Sequence, residues 1–165
     1  MDFQKELIAE YDRETATTRK VLEAIPDDAD FAWKPHTKSM ALGQLAGHVA
    51  DTTGDWALHT LTTDKLAWTP EMKPEIPANK KELLTKFDRQ MADVKPALTK
   101  MTPERWDSNW KFVAGEQTWI DDTKYNVWRT WVLNHLVHHR AQLGVYLRLL
   151  DKKVPGCYGP SADEM

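Results

Sequence analysis

Three of the six histidines lie in one ten-residue stretch, Asn134 to Leu143, which reads Asn-His-Leu-Val-His-His-Arg-Ala-Gln-Leu. His135 and His139 are four apart with no helix breaker between them. On an α-helix that spacing puts both imidazoles on one face, one turn apart, with Cβ atoms about 5–6 Å from each other. Neutral imidazole suits divalent transition metals, so the pair can share an ion. His138 is also within helical reach of His135. It falls about 60° from His135 on the wheel, on the flank away from His139, which suits a surface group or one behind the ligands. A third ligand must come from elsewhere, and His48, in the amphipathic segment Leu45 to Val49, is the best candidate. Three imidazoles from two helices, with a fourth position open, make a catalytic rather than a structural ligand set. The competing reading is that carboxylates or amides satisfy the ring nitrogens. Position 136 is Leu, not Glu, so the zinc-protease motif of the same spacing is absent.

The elements that position these residues follow from hydrophobic period and caps. Asp2 caps a first helix with apolar positions at Leu7, Ile8, Tyr11, Leu22 and Ile25, ending at Pro26. Its middle carries Glu14, Thr15 and Thr18, which reads as a partly solvated face, with a polar pocket facing these residues as the alternative. Pro26 to Met40 is a loop, with Phe31 and Trp33 tucked onto the helices. A second helix is predicted from Ala41 to Leu61, with Leu42, Leu45, Val49 and Trp56 as its apolar arc. His48 sits at the edge of that arc, and Asp51 and Asp55 lie on its flank, within reach of closing a metal site. Pro70, Pro74 and Pro77 mark an extended crossover. Asn79 and Glu82 open a third helix, which Pro96 should kink or end near Lys95.

Thr102-Pro103-Glu104 reads as a capped single turn. The aromatic residues Trp106, Trp110, Phe112 and Trp119 then surround a Gly115 turn in a stretch, Ser108 to Asp121, read as irregular or briefly extended. They either cover the open end of the helices or wall a substrate pocket. The last helix is predicted from Asp122 to Leu150. Trp128, Trp131, Val132, His135, His139, Gln142, Tyr146 and Leu149 share its core-facing side. Its back is also apolar, through Leu133, Val137 and Leu147, which predicts cover by a second subunit. Val154 to Met165 is a tail punctuated by Pro and Gly, and Cys157, in a mobile tail, is read as incidental.

The totals narrow the field. A chain of 165 residues suits one domain, 1–165. The formal net charge of −3 offers no attraction for nucleic acid. The single cysteine excludes an internal disulfide and fits a reducing compartment. Neither a signal-type segment nor an apolar run long enough for a membrane is evident, so the expectation is a soluble cytoplasmic protein without a membrane partner.

The run from His135 to Leu143 resembles the C-terminal signature of the DinB family (DinB/YfiT-like metalloenzymes). The likeness extends to Trp33-Lys34-Pro35-His36, to Gln44-Leu45-Ala46-Gly47-His48, and to Tyr158-Gly159-Pro160-Ser161-Ala162-Asp163-Glu164. The resemblance implies an all-α fold, an antiparallel four-helix bundle with a long crossover, often a homodimer. It also implies a divalent metal, zinc or nickel, on His48, His135 and His139. Distant members are thiol-dependent transferases and isomerases. Ala41 stands where a capping Ser or Thr is common, and Ala141 where Gly is common, which touches local packing and no ligand.

Two function classes follow. In the first, the chain is a metal-dependent enzyme of the thiol-transferase-like class acting on a small molecule, with a metal-dependent hydrolase as its variant. In the second, it is a non-catalytic, metal-binding, stress-associated dimeric module.

Overall fold

The computed structural model describes residues 2–165. Helix α1 (Phe3–Glu23) starts at Asp2, whose carboxylate accepts the Lys5 N–H at 3.2 Å. Helix α4 (Lys80–Thr99) starts at Asn79 in the same way, with Oδ1 accepting the Glu82 N–H at 2.9 Å. Glu82 reaches back to the Ala78 N–H at 2.9 Å, so two donors at the helix start are satisfied reciprocally. Pro96 does not end α4, which continues through it to Thr99, with Val94 and Leu98 on either side buried in the core. The position lies in the last turn and a half, where little helix remains to be disrupted.

The predicted second helix is two. Helix α2 (Leu42–Thr53) and helix α3 (Asp55–Thr62) break at Gly54, at φ −100 and ψ −103. A Cβ there would stand 2.5 Å from the Gln90 side chain, so only glycine lets α4 come this close. Ala41, as its residue type implies, makes no side-chain cap on α2.

The all-α expectation is wrong. Among the described residues three strands form a mixed sheet in the order β1-β2-β3: β1 (Lys65–Trp68), β2 (Asn109–Ala114) and β3 (Gln117–Thr123). Strand β1 runs parallel to β2, Lys65 facing Lys111, and β2 pairs antiparallel with β3. The β2–β3 hairpin turns at Gly115 and Glu116, and Gly115 takes φ 58, the left-handed backbone that glycine adopts without penalty. Phe112 faces Ile120 and Val113 faces Thr118, which leaves Trp119 as the extra residue of a bulge, 60% exposed. Trp110 and Ile120 are buried with Val127, and Trp56 of α3 packs against them. The period of two from Trp110 to Phe112 is the strand signal that the density of aromatics hides.

Helix α5 (Pro103–Asp107) is the capped turn expected, with Thr102 Oγ1 accepting the Arg105 N–H at 3.3 Å. The last helix begins later than predicted and is not uniform. A short α6 (Lys124–Val127) leads into a π-helical segment, Trp128–Asn134, and then α7 (His135–Leu149). A π turn winds less per residue than an α turn, so it rotates what precedes it relative to α7. Leu133, predicted on the back of the helix, is thus 3% exposed beside Trp128 and Val132, and Leu147 is fully buried. Those two positions are covered within the chain and need no second subunit.

The core has two main clusters. One joins the end of α1 (Val21, Leu22) to α2 (Leu45, Val49), α4 (Leu83, Phe87) and α7 (Leu136, Leu143). The other joins the start of α1 (Leu7, Tyr11) to α3, the end of α4 and the π segment. Phe31 is buried as expected, and Trp33 meets the Tyr146 ring edge-on at 5.7 Å.

The middle of α1 is not a solvated face. Arg140, 2% exposed, donates from Nη1 to the Glu14 carbonyl at 3.0 Å and to Thr18 Oγ1 at 3.1 Å. Its Nη2 donates to Glu14 Oε2 at 2.7 Å and to Tyr158 Oη at 2.6 Å. The tail is tied as well. Asp163 accepts from both terminal nitrogens of Arg148 at 3.1 and 2.6 Å and from the Val154 N–H at 2.9 Å. Cys157 is half-buried against the core rather than in a mobile tail. Among the described residues no helix is long and apolar enough to cross a membrane.

Candidate metal centre

Helices α2 and α7 pack against each other, and that contact brings the three predicted histidines together. His48 comes from α2, His135 opens α7, and His139 follows one turn later. One ring nitrogen from each lies within 4.8 Å of the others. The Nε2 atoms of His48 and His135 are 2.9 Å apart, and the ring centroids are separated by 4.4 to 5.1 Å. Imidazole nitrogens on a tetrahedral ion, with bonds of 2.0–2.1 Å, sit about 3.4 Å from one another. The observed separations bracket that value, so the donor set fits a divalent ion.

Electrostatics favours the same species. Burial, with the neighbouring His139, pushes the His48 imidazole down to about 4. Burial first, then the neighbouring histidines, lowers His135 to about 4. His139 is lowered too, mainly by burial, with its Gln142 hydrogen bond acting against the shift. All three are neutral near pH 7, as a ligand must be, and a 2.9 Å contact between two ring nitrogens requires at least one unprotonated partner.

Gln142 Oε1 accepts from His139 Nδ1 at 2.8 Å, which leaves the Nε2 lone pair of His139 free for an ion. The Gln142 amide nitrogen stands 3.1 Å from Nε2 of His138. His138 is exposed and outside the group of three, in keeping with its place on the wheel. The role of Gln142 follows from its spacing, three residues after His139 on one face, which was legible but carried no weight without the His139 ring orientation.

Neither acidic neighbour closes the site. Asp51 is held by Lys86 Nζ at 2.8 Å and by Gln90 Nε2 at 2.8 Å. Lys86 is 6% exposed and also donates to the Glu75 carbonyl at 2.6 Å, so this ion pair is anchored from the α4 side. Asp55 is exposed. Among the described residues no fourth side chain of ligand type joins the three histidines.

Two of the hollows that touch them are of substrate size. A cavity of about 200 Å³ is lined by His48, Asp51, Thr52, Trp56, Trp131 and His135. On the His139 side a wider hollow of about 420 Å³ is bordered by Lys38, Met40, Gln142, Val145 and Tyr146. The aromatic wall expected from Trp106, Trp110, Phe112 and Trp119 is formed by other residues. Trp106 and Trp110 are buried and Trp119 points to solvent. The wall itself is Trp56 and Trp131, with Trp110 and Phe112 packed edge-on behind Trp56 at 5.5 and 5.2 Å.

Residues 1–165 match the DinB family. The chain is similar in structure to a DinB-like protein from Bacillus cereus, with a TM-score of 0.70 at 21% identity, covering 91% of this chain and 94% of that one. It is also similar to a DinB-like protein from Bacillus subtilis, with a TM-score of 0.64 at 17% identity, covering 90% and 93%. At these identities the likeness is one of fold. No curated protein matches the sequence.

Proposed function

Since the chain belongs to the DinB family, we propose that it is a metal-dependent enzyme of the thiol-dependent transferase type. His48, His135 and His139 hold zinc or nickel, and one coordination position is left for a small thiol. The observation that carries this reading is the convergence of three neutral imidazoles, within 4.8 Å of one another, with no fourth ligand beside them among the described residues. A divalent ion in that place supplies Lewis acidity, lowering the pKa of a thiol or water that reaches it.

The chain's own residues do the rest. Gln142 fixes the tautomer and orientation of His139. Lys86 and Gln90 keep Asp51 off the fourth position. Trp56 and Trp131 shield one side of the group from bulk water.

Cobalt substitution tests the reading. Adding 2-mercaptoethanol to the cobalt protein should produce a sulfur-to-metal charge-transfer band, and it should do so equally in Asp51→Ala, because Asp51 is engaged elsewhere. If no small thiol perturbs the spectrum, the transferase reading falls and a hydrolase or a non-catalytic metal-binding module remains. We further propose a homodimer in the cytoplasm, using the exposed Val145 and Leu149 of α7 instead of Leu133 and Leu147. Sedimentation that finds a monomer at micromolar concentration would remove it.

A further inference from the structure

We propose that the 200 Å³ cavity beside His48 and His135 is a subsite for a single uncharged aromatic ring of the substrate. The proposal deepens the metal-enzyme reading and rests on it for the ring's place beside the ligands. Four of the six lining residues present rings: Trp56, Trp131, His48 and His135. The Trp131 and His135 rings lie 6.1 Å apart and are tilted by 34° to each other. Edge-on packing against Trp110 and Phe112 fixes the plane of Trp56. A preformed slot between fixed rings accepts a flat group at little entropic cost.

Size and charge narrow the class. An apolar protein cavity of about 150 Å³ is known to hold benzene, so about 200 Å³ suits one ring with a small substituent. Asp51, the one formally charged lining residue, is turned onto Lys86 and Gln90, and the surface left to the cavity is almost wholly carbon. A free cation would therefore find no unpaired carboxylate, and an anion would find no cationic side chain. The wider hollow beyond His139 is bordered by Lys38 and is the polar side of the centre. A substrate spanning the histidines would thus place its ring on the tryptophan side and its polar part on the lysine side.

Binding of fluorobenzene to the full-length, metal-loaded protein, followed by fluorine NMR, tests the inference. Saturable binding is expected, weakened at least tenfold in Trp131→Ala and less in Trp131→Leu, which keeps an apolar wall without the flat face. Trp131 is 40% exposed, so neither variant should unfold the chain. Trp119→Ala, which removes an exposed indole of the hairpin away from both hollows, should bind as the unaltered protein does. Absence of saturable binding, equal binding in Trp131→Ala, or equally tight binding of 1-fluoronaphthalene would each overturn the proposal. Metal content measured on the same samples separates the two readings. Full metal without ring binding sinks only the aromatic subsite, whereas metal that persists in His48→Ala sinks the metal centre.

Discussion

His139 and Arg140 are neighbours in the chain, about 100° apart around α7, yet they meet different partners and are treated in opposite ways. Arg140 is a buried cation with both terminal nitrogens in use, bonded to Glu14, Thr18 and Tyr158. His139 is kept neutral by burial, and only one of its nitrogens is tied, to Gln142. A side chain whose polar atoms are all spent on the protein builds structure. One left with a directed lone pair beside a cavity is available for chemistry. The same contrast separates Asp51, spent on Lys86 and Gln90, from His48 one turn before it.

If the two faces divide the work in this way, substitutions on them should separate metal binding from stability. The largest effect belongs to His48→Ala, which should reduce the metal from about one ion per chain to near zero by elemental analysis of untagged protein. Its stability in the metal-free state should barely change. Arg140→Ala should do the reverse, costing about 3–5 kcal/mol in urea unfolding because it leaves the Glu14 carboxylate, 14% exposed, without its cation and with only the Tyr158 hydroxyl as donor. A loss below 1 kcal/mol would show that the arginine face is not structural. Gln142→Leu should sharpen the comparison, weakening metal affinity about 10- to 100-fold by freeing the His139 ring, at little cost in stability.

The smallest effect is on pH dependence. The folded-state values of His48 and His135 lie near 4, below the ordinary value near 6.5, so the unfolded chain binds more protons between the two. The stability of the metal-free protein should therefore be flat above pH 6.5 from this source and fall as pH drops toward 4. Partial solvent access at both rings keeps the loss modest. Metal loading should shift the fall to lower pH, and a parallel fall in His48→Ala/His135→Ala would contradict the assignment.

The grouping of the three histidines was legible because it rests on local rules. A spacing of four fixes His135 and His139 on one face, and the edge of an apolar arc marks His48 as half-buried. What stayed hidden depends on partners far along the chain. Arg140 meets Glu14 across 126 residues, and nothing near either residue announces the other. The break at Gly54 depends on the approach of Gln90, and the tryptophan wall on which indoles the hairpin buries. The sheet was missed for a local reason: β2 and β3 are short, only one face is covered, and the bulge at Trp119 interrupts the alternation. The π segment leaves no composition signal, although it explains why Leu133 turned inward.

The contact between His48 and His135 joins positions 87 residues apart. In a disordered chain, drawing such distant points together would cost about 4 kcal/mol of loop-closure entropy. The intact chain without its fold would have to bring His48 to the α7 histidines against that cost. The folded chain instead presents it at an effective concentration on the order of a thousandfold higher. If the three histidines hold an ion as proposed, the packing of α2 on α7 is as much a part of the site's affinity as the imidazoles, and a cleavage that separated the two helices would cost the ion its third ligand without removing a single histidine.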